Sequence, residues 1–195
     1  MTNVLAVNNY PSTDRFDRLR KCLELNGALV NVTGWTECSV SNFSGYDGVV
    51  LSGSPDMAST EAAQTKFSAE VEAIRETKTP ILGVCFGHQL AAIAFGSRVV
   101  KDVRPVVEFV RTEVTADDPL FEGLPKSIML VESRHEVVES LPRGFKLIAR
   151  SETSKIAAMK HEKLPIYGVQ SHPERYTSEN PEGNRLVANF LGLLS

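Results

Sequence analysis

Hydrophobic positions along the chain change period repeatedly. Val4-Leu5-Ala6-Val7 is a short apolar run closed by Asn8-Asn9-Tyr10-Pro11-Ser12, and Phe16, Leu19 and Leu23 follow at helical spacing up to Asn26-Gly27, a helix end. Ala28 to Val32 and Tyr46 to Leu51 predict a second and a third strand, and Ala62 to Glu76 a helix with a polar face. Pro80 to Val84 predicts a fourth strand that runs into a helix over Gln89 to Phe95. Strands alternating with helices through short connections predict a doubly wound α/β core, a mostly parallel sheet flanked by helices. The second half is β-rich: Arg98 to Val103, Glu108 to Thr115, Ile128 to Glu132, Lys146 to Ala149, Ile156 to Met159 and Ile166 to Val169 read as short strands. A last amphipathic helix, Gly183 to Leu194, is expected to dock on the sheet through Leu186, Val187, Phe190 and Leu194. No repeat, low-complexity tract or linker interrupts this pattern, so one domain over residues 1–195 is expected.

Composition removes several function classes. With 21 Lys+Arg against 24 Asp+Glu the formal charge is −3, which lacks the basic surplus that phosphate-driven nucleic-acid binding needs. A composition 42% hydrophobic and 23% charged is that of a folded globular protein. The most apolar stretch, Pro80 to Val100, is interrupted by His88, Gln89 and Arg98, so it reads as core and not as a membrane span. The start lacks a basic segment and an apolar run of signal-peptide length, so a cytoplasmic location is expected. Cys22, Cys38 and Cys85 form neither a CxxC pair nor an even framework, so neither disulfides nor a metal centre is expected. There is no GxGxxG and no GxxxxGK[ST], so no dinucleotide or phosphate loop is expected.

Candidate chemistry concentrates at Pro80-Ile81-Leu82-Gly83-Val84-Cys85-Phe86-Gly87-His88-Gln89. A buried strand, then Gly-x-Cys-x-Gly, then a helix rich in small residues is the context of a nucleophile elbow with Cys in the place of Ser. The flanking glycines suit a sharp, strained turn, and a thiol at a helix N-terminus faces amides that stabilise negative charge. A cysteine taken alone is most often an inert buried side chain, and Cys22 and Cys38 receive that reading. Cys85 needs a base. His172 ends the strand Ile166 to Gln170 and precedes Pro173-Glu174, and on an extended segment residues two apart share a face. Glu174 can then hold one imidazole nitrogen while the other faces the thiol, as in a catalytic triad. Oxyanion amides are expected from Phe86, the residue after the nucleophile, and from Gly53 in Leu51-Ser52-Gly53-Ser54-Pro55.

Taken together, Gly83-Val84-Cys85-Phe86-Gly87-His88-Gln89, Gly168-Val169-Gln170-Ser171-His172-Pro173-Glu174 and Leu51-Ser52-Gly53-Ser54-Pro55 resemble the class I (triad) glutamine amidotransferase family over nearly the whole chain. The resemblance implies glutamine hydrolysis to glutamate and ammonia through a γ-glutamyl thioester, with Cys85 as nucleophile, His172 as acid and base, and Glu174 as its orienter. It further implies that Gln89 contacts bound glutamine and, by family position, that Glu108, Phe109 and His135 do so too. His88 reads as a supporting or helix-capping residue and His161 as a β-turn surface residue. Leu141 to Ser151 and Ala158 to Gln170 are similar to the separate glutaminase subunit of two-subunit GMP synthases. That similarity implies a hetero-oligomer with an ATP-pyrophosphatase-type synthetase, with ATP and Mg belonging to the partner and no cofactor in this chain. A chorismate-using synthase subunit, a free γ-glutamyl hydrolase and a non-catalytic binding protein are the alternatives. Four positions depart from the GMP synthase pattern. Ser133-Arg134-His135-Glu136 stands for Ser-His-x-Asp, Gly53-Ser54-Pro55 for Gly-Gly-Pro, Ser171 for an aromatic residue, and the loop after the first strand lacks Gly-Gly-Gln.

Overall fold

The apolar runs of the first half become parallel strands; Asn3–Asn8, Gly48–Leu51 and Ile81–Val84 are buried on both faces, and Leu29–Gly34, at the sheet edge, is largely exposed. The computed structural model of the chain describes residues 1–194, and Ser195, the last residue of the expected domain, lies outside them. The strands are β1 (Asn3–Asn8), β2 (Leu29–Gly34), β3 (Gly48–Leu51), β4 (Ile81–Val84), β5 (Val99–Val114), β6 (Ser127–Val138), β7 (Phe145–Ser151), β8 (Ala158–His161) and β9 (Ile166–Val169). They form one sheet in the order β2-β1-β3-β4-β9-β8-β7-β5-β6. The pairs from β2 to β9 are parallel, and those beyond β9 are antiparallel. Side chains alternate between two core layers: Val4 and Ala6 face one, Leu5 and Val7 the other. The helices are α1 (Asp17–Leu25), α2 (Val40–Phe43), α3 (Glu61–Lys66), α4 (Ser68–Glu76), α5 (Phe86–Ala94) and α6 (Glu182–Gly192). Leu19, Leu23, Leu186, Val187 and Phe190 fill the first layer, and Phe67, Ile74 and Leu90 the second.

Four expected elements differ. The helix over 62–76 is split at Phe67, whose ring is buried between Trp35 and Phe86 at centroid distances of 5.5 and 4.7 Å. Arg98 to Val103 and Glu108 to Thr115 are one long strand, β5, with a register shift between Lys101 and Val106 that contains Pro105. The expected strand over Ile128 to Glu132 continues to Val138, because Ile128, Leu130, Glu132, Arg134, Glu136 and Val138 all turn inward at period two. Charges in the middle of that inward row hide the strand from a hydrophobic pattern.

Two of the inward charges of β6, Glu132 and Arg134, pair with one another. The guanidinium of Arg134 donates to Glu132 Oε2 at 2.7 Å, to the Thr153 carbonyl at 2.6 Å and to Asp102. Ser151 and Thr153 hydroxyls donate to the Glu132 carboxylate at 2.6 and 2.8 Å. Strand β6 is thereby tied to β5 and to the turn after β7. At the other end, α6 presses on the turn after β9, where a Cβ on Gly183 would collide with the Pro173 carbonyl.

Both sets of contacts can be tested through stability. Arg134→Met leaves Glu132 buried without its cation and is expected to cost about 3–5 kcal/mol in urea denaturation. Gly183→Ala forces α6 away from the Pro173 backbone and is expected to cost about 1–3 kcal/mol by the same measurement.

Candidate active site

Register brings the candidate groups together. Val84 pairs with Val169, so Cys85 and the segment Gln170 to His172 leave adjacent parallel strands at the same carboxyl edge of the sheet, where open α/β sheets place their sites. Cys85 has φ 51° and ψ −97°, and it is the one non-glycine residue with positive φ among the described residues. Such a conformation costs of the order of 1–3 kcal/mol and must be enforced by its surroundings. The surroundings do so at both flanks: a Cβ on Gly83 would lie 2.5 Å from the Gly87 carbonyl oxygen, and one on Gly87 2.6 Å from Leu51 Cβ. The Cys85 amide donates to the Val169 carbonyl at 2.8 Å, and α5 starts immediately after it at Phe86, three residues earlier than the helical pattern predicts.

His172 and Glu174 meet, although not on an extended segment. Pro173–Arg175 forms a single 3-10 turn, and within it His172 Nδ1 lies 2.8 Å from Glu174 Oε1. An ionised carboxylate only accepts, so Nδ1 carries the donated hydrogen and the other ring nitrogen is left for the thiol. The imidazole interacts with both Glu174 and Cys85. Burial alone would push His172 down, but the Glu174 carboxylate and Cys85 beside it raise it to about 10. Burial likewise pushes Glu174 up, and His172 overrides this and holds it below its usual range. The His172 amide donates to the Val131 carbonyl at 2.7 Å, and the Ser133 carbonyl stands 3.8 Å from Cys85 Sγ, so the Arg134-pinned strand β6 is the far wall of the site.

Cys85 lies at the base of a cleft of about 160 Å³. Phe86, Gln89, Ser133, His135 and Glu136 line it. Gln89 Nε2 donates to the Glu136 carbonyl at 3.0 Å. Glu136 accepts from the Ser59 amide on Oε2, while its buried Oε1 has no partner among the described residues. Gly53 and Phe86 are both buried residues, and the amide of neither donates a hydrogen bond among the described residues. Amides of buried residues are rarely left unused, which marks these two as available to a ligand oxygen. A Cβ on Gly53 would sit 2.9 Å from His172 Cε1 and 2.5 Å from the Tyr10 hydroxyl, so this peptide borders the imidazole directly.

Of the residues singled out in the sequence, the structure thus gathers Cys85, His172, Glu174, Gly53, Phe86, Gln89 and His135. Glu108 and Phe109 do not line the cleft; Glu108 is exposed on β5 beside Arg104. His88 is fully buried against Gly168, and burial pushes it down to about 4, so it is a neutral packing residue. His161 is not on the surface: its ring packs on Phe95 and Phe145, and its Nδ1 accepts from the Lys163 and Leu164 amides. Cys22 is pushed up to about 12 by burial and Cys38 is pushed up as well, which suits inert thiols. Sequence reasoning missed Tyr10, Glu136 and Gln170. Gln170 Nε2 lies 3.7 Å from Cys85 Sγ, and only the parity of β9 points to it. Glu136 was legible merely as a departure from a motif.

With the Cys85 thiol, the His172 imidazole and its Glu174 carboxylate together and two unused amides beside them, the arrangement can carry acyl transfer to sulfur. Among the described residues no group of three or more metal-ligating side chains is found, and no helix is long and apolar enough to cross a membrane. The family model of the class-I glutamine amidotransferases matches residues 6–193. The chain is 43% identical over 146 residues to a subunit of the glutamine-hydrolyzing GMP synthase of Thermococcus kodakarensis, covering 75% of this chain and 74% of that protein. It is 35% identical over 189 residues to the corresponding GMP synthase subunit of Methanosarcina acetivorans, covering 96% and 94%. A solved structure from Thermoplasma acidophilum, described as that of the same kind of GMP synthase subunit, superposes with a TM-score of 0.88 at 29% identity, covering 100% of this chain and 94% of that one. Geometry, motif order and these likenesses agree, and the chain belongs to the class-I glutamine amidotransferase family.

Proposed function

We propose that this chain is the glutaminase subunit of a two-subunit GMP synthase. It hydrolyses glutamine and passes the ammonia to a separate ATP-pyrophosphatase-type synthetase that converts XMP to GMP. The observation that carries the chemistry is the Cys85–His172–Glu174 cluster beside two unused amides. The pathway is supported by relatives named as subunits of glutamine-hydrolyzing GMP synthase that match along nearly the full length of the chain.

In this reading His172 takes the Cys85 proton and the thiolate attacks the glutamine side-chain carbonyl carbon. The oxygen that becomes negative is met by the Gly53 and Phe86 amides, which cost no reorganisation because the fold already holds them. Collapse breaks the C–N bond, and His172 returns its proton to the leaving nitrogen, which departs as ammonia. Water, deprotonated by His172, then attacks the γ-glutamyl thioester and releases glutamate and the thiol. Glu174 keeps the ring oriented and stabilises the imidazolium in both half-reactions. The α-ammonium of glutamine is assigned to Glu136, whose partnerless carboxylate oxygen in the cleft offers a charged acceptor, and Gln89 flanks it. ATP and Mg belong to the synthetase.

Glutamine hydrolysis assayed with the purified synthetase tests this reading. Cys85→Ala is expected to lower it by on the order of 10⁴-fold or more while GMP formation from added ammonia is unchanged. A Cys85→Ala chain that keeps full glutaminase activity overturns the mechanism. Glu136→Gln is expected to raise KM for glutamine about 10-fold or more with a smaller effect on kcat, since it removes a charged hydrogen bond to the ground state.

A further inference from the structure

Beneath the Gly53 loop lies a carboxyl group that the triad does not use. Glu70, on α4, is fully buried, and among the described residues the one side chain that donates to it is Asn9, whose Nδ2 is 3.1 Å from Oε1. Asn9 follows β1, and its other hydrogen bonds go to Ser52: its amide donates to Ser52 Oγ at 2.9 Å and its Nδ2 to the Ser52 carbonyl at 3.4 Å. Ser52 Oγ in turn donates to the Gly53 carbonyl at 2.9 Å, and the Gly87 amide donates to the Ser52 carbonyl at 3.2 Å. The peptide between Ser52 and Gly53 is therefore held by its oxygen. In a trans peptide the N–H points away from the C=O, so the bonds that anchor the Ser52 carbonyl also set the direction of the Gly53 N–H.

We propose that Glu70 is a positioning residue for the Gly53 amide, acting through Asn9 and Ser52, and that its uncharged form does this. The inference rests on the reading of Gly53 as an oxyanion donor. Among the described residues no cation reaches the carboxyl. On the elements packed around α4, Glu37 accepts from the Thr33 hydroxyl and Lys66 pairs with Asp56 at 2.8 Å. His88 on α5 is neutral, and the Cys38 thiol, which interacts with Glu70, is pushed up by burial. Glu70 Oε2 and Asn9 Oδ1 are both buried without a donor among the described residues, and a proton on the carboxyl supplies one. Burial raises Glu70 from its ordinary 4.5 to about 8, against a smaller opposing effect of Asn9. The folded chain then binds this proton more tightly than the unfolded one, so the associated stability is complete below about pH 4.5 and is lost as pH rises through about 8. Ionisation removes that donor, leaves a buried carboxylate with the Asn9 amide as its one side-chain donor among the described residues, and loosens the clamp on Ser52.

The experiment compares wild type, Glu70→Gln and Glu70→Ala, each with the purified synthetase, in two reactions. One is glutamine hydrolysis, which needs the oxyanion amides. The other is alkylation of Cys85 by iodoacetamide, a direct displacement that develops no oxyanion at the Gly53 amide. Glu70→Ala is expected to lower kcat for glutamine by about 10- to 100-fold with KM and the alkylation rate changed about twofold or less. Glu70→Gln, which keeps the shape and the neutral state, is expected to retain kcat within about threefold at pH 7 and to lose the decline that wild type shows as pH passes about 8. A Glu70→Ala chain with unchanged kcat, or with both reactions lowered together, overturns the proposal. So does a Glu70→Gln chain with the wild-type alkaline decline, a result that stands even if Glu70→Ala does not fold. A wild-type chain that is alkylated but hydrolyses no glutamine refutes the proposed function instead.

Discussion

The site depends on one backbone conformation, the positive φ of Cys85. An L-residue adopts it only where the neighbouring backbone leaves no alternative, and here β4 stops, α5 starts and both glycines beside the cysteine are in van der Waals contact with other main chain. The close fit of Gly87 against Leu51 brings the end of β3, and with it Ser52 and Gly53, alongside the first turn of α5. The strain at the cysteine and the proximity of the two candidate oxyanion amides therefore have the same origin. A larger residue at Gly83 or Gly87 relieves one only by destroying the other.

Around that elbow the molecule buries several ionisable groups and matches each differently. His172 and Glu174 stabilise one another's charged forms against desolvation. Arg134, Glu132 and Asp102 form a compact cluster completed by Ser151 and Thr153, which makes β6 rigid where its carbonyls receive the His172 amide and face Cys85. The departure at Arg134 thus has a structural account: the guanidinium turns into the sheet instead of reaching over the cleft. Ser54 has one as well, since its hydroxyl meets Asp56 at 3.1 Å in the loop after Gly53. Nothing in the structure explains Ser171, whose buried hydroxyl has no partner among the described residues.

Much of the fold was legible because the parallel half is made of continuous apolar strands separated by amphipathic helices, and both signals are local. The elbow was legible for a related reason: Gly83, Cys85 and Gly87 are neighbours in sequence, so their steric demand is written in a five-residue window. His172 and Glu174 were paired correctly but through the wrong geometry, because a proline at 173 fits the start of a 3-10 turn as well as an extended segment. Strand β6 was cut short because its inward row carries Glu132, Arg134 and Glu136, and a hydrophobicity pattern cannot tell buried charges from solvated ones.

By itself the sequence determined the alternation of strand and helix, the cysteine elbow with its glycines, and the pairing of His172 with Glu174. Each depends on residues close together in the chain. Only the tertiary structure decided that Asn9, Ser52 and Glu70 form one clamp, that Glu136 rather than Glu108 reaches the cleft, and that Arg134 faces inward. Those outcomes join residues 40 or more positions apart, or turn on which side of a strand a charge is buried. Long-range sheet register and the desolvation of individual groups fix them, and neither leaves a local pattern in the sequence.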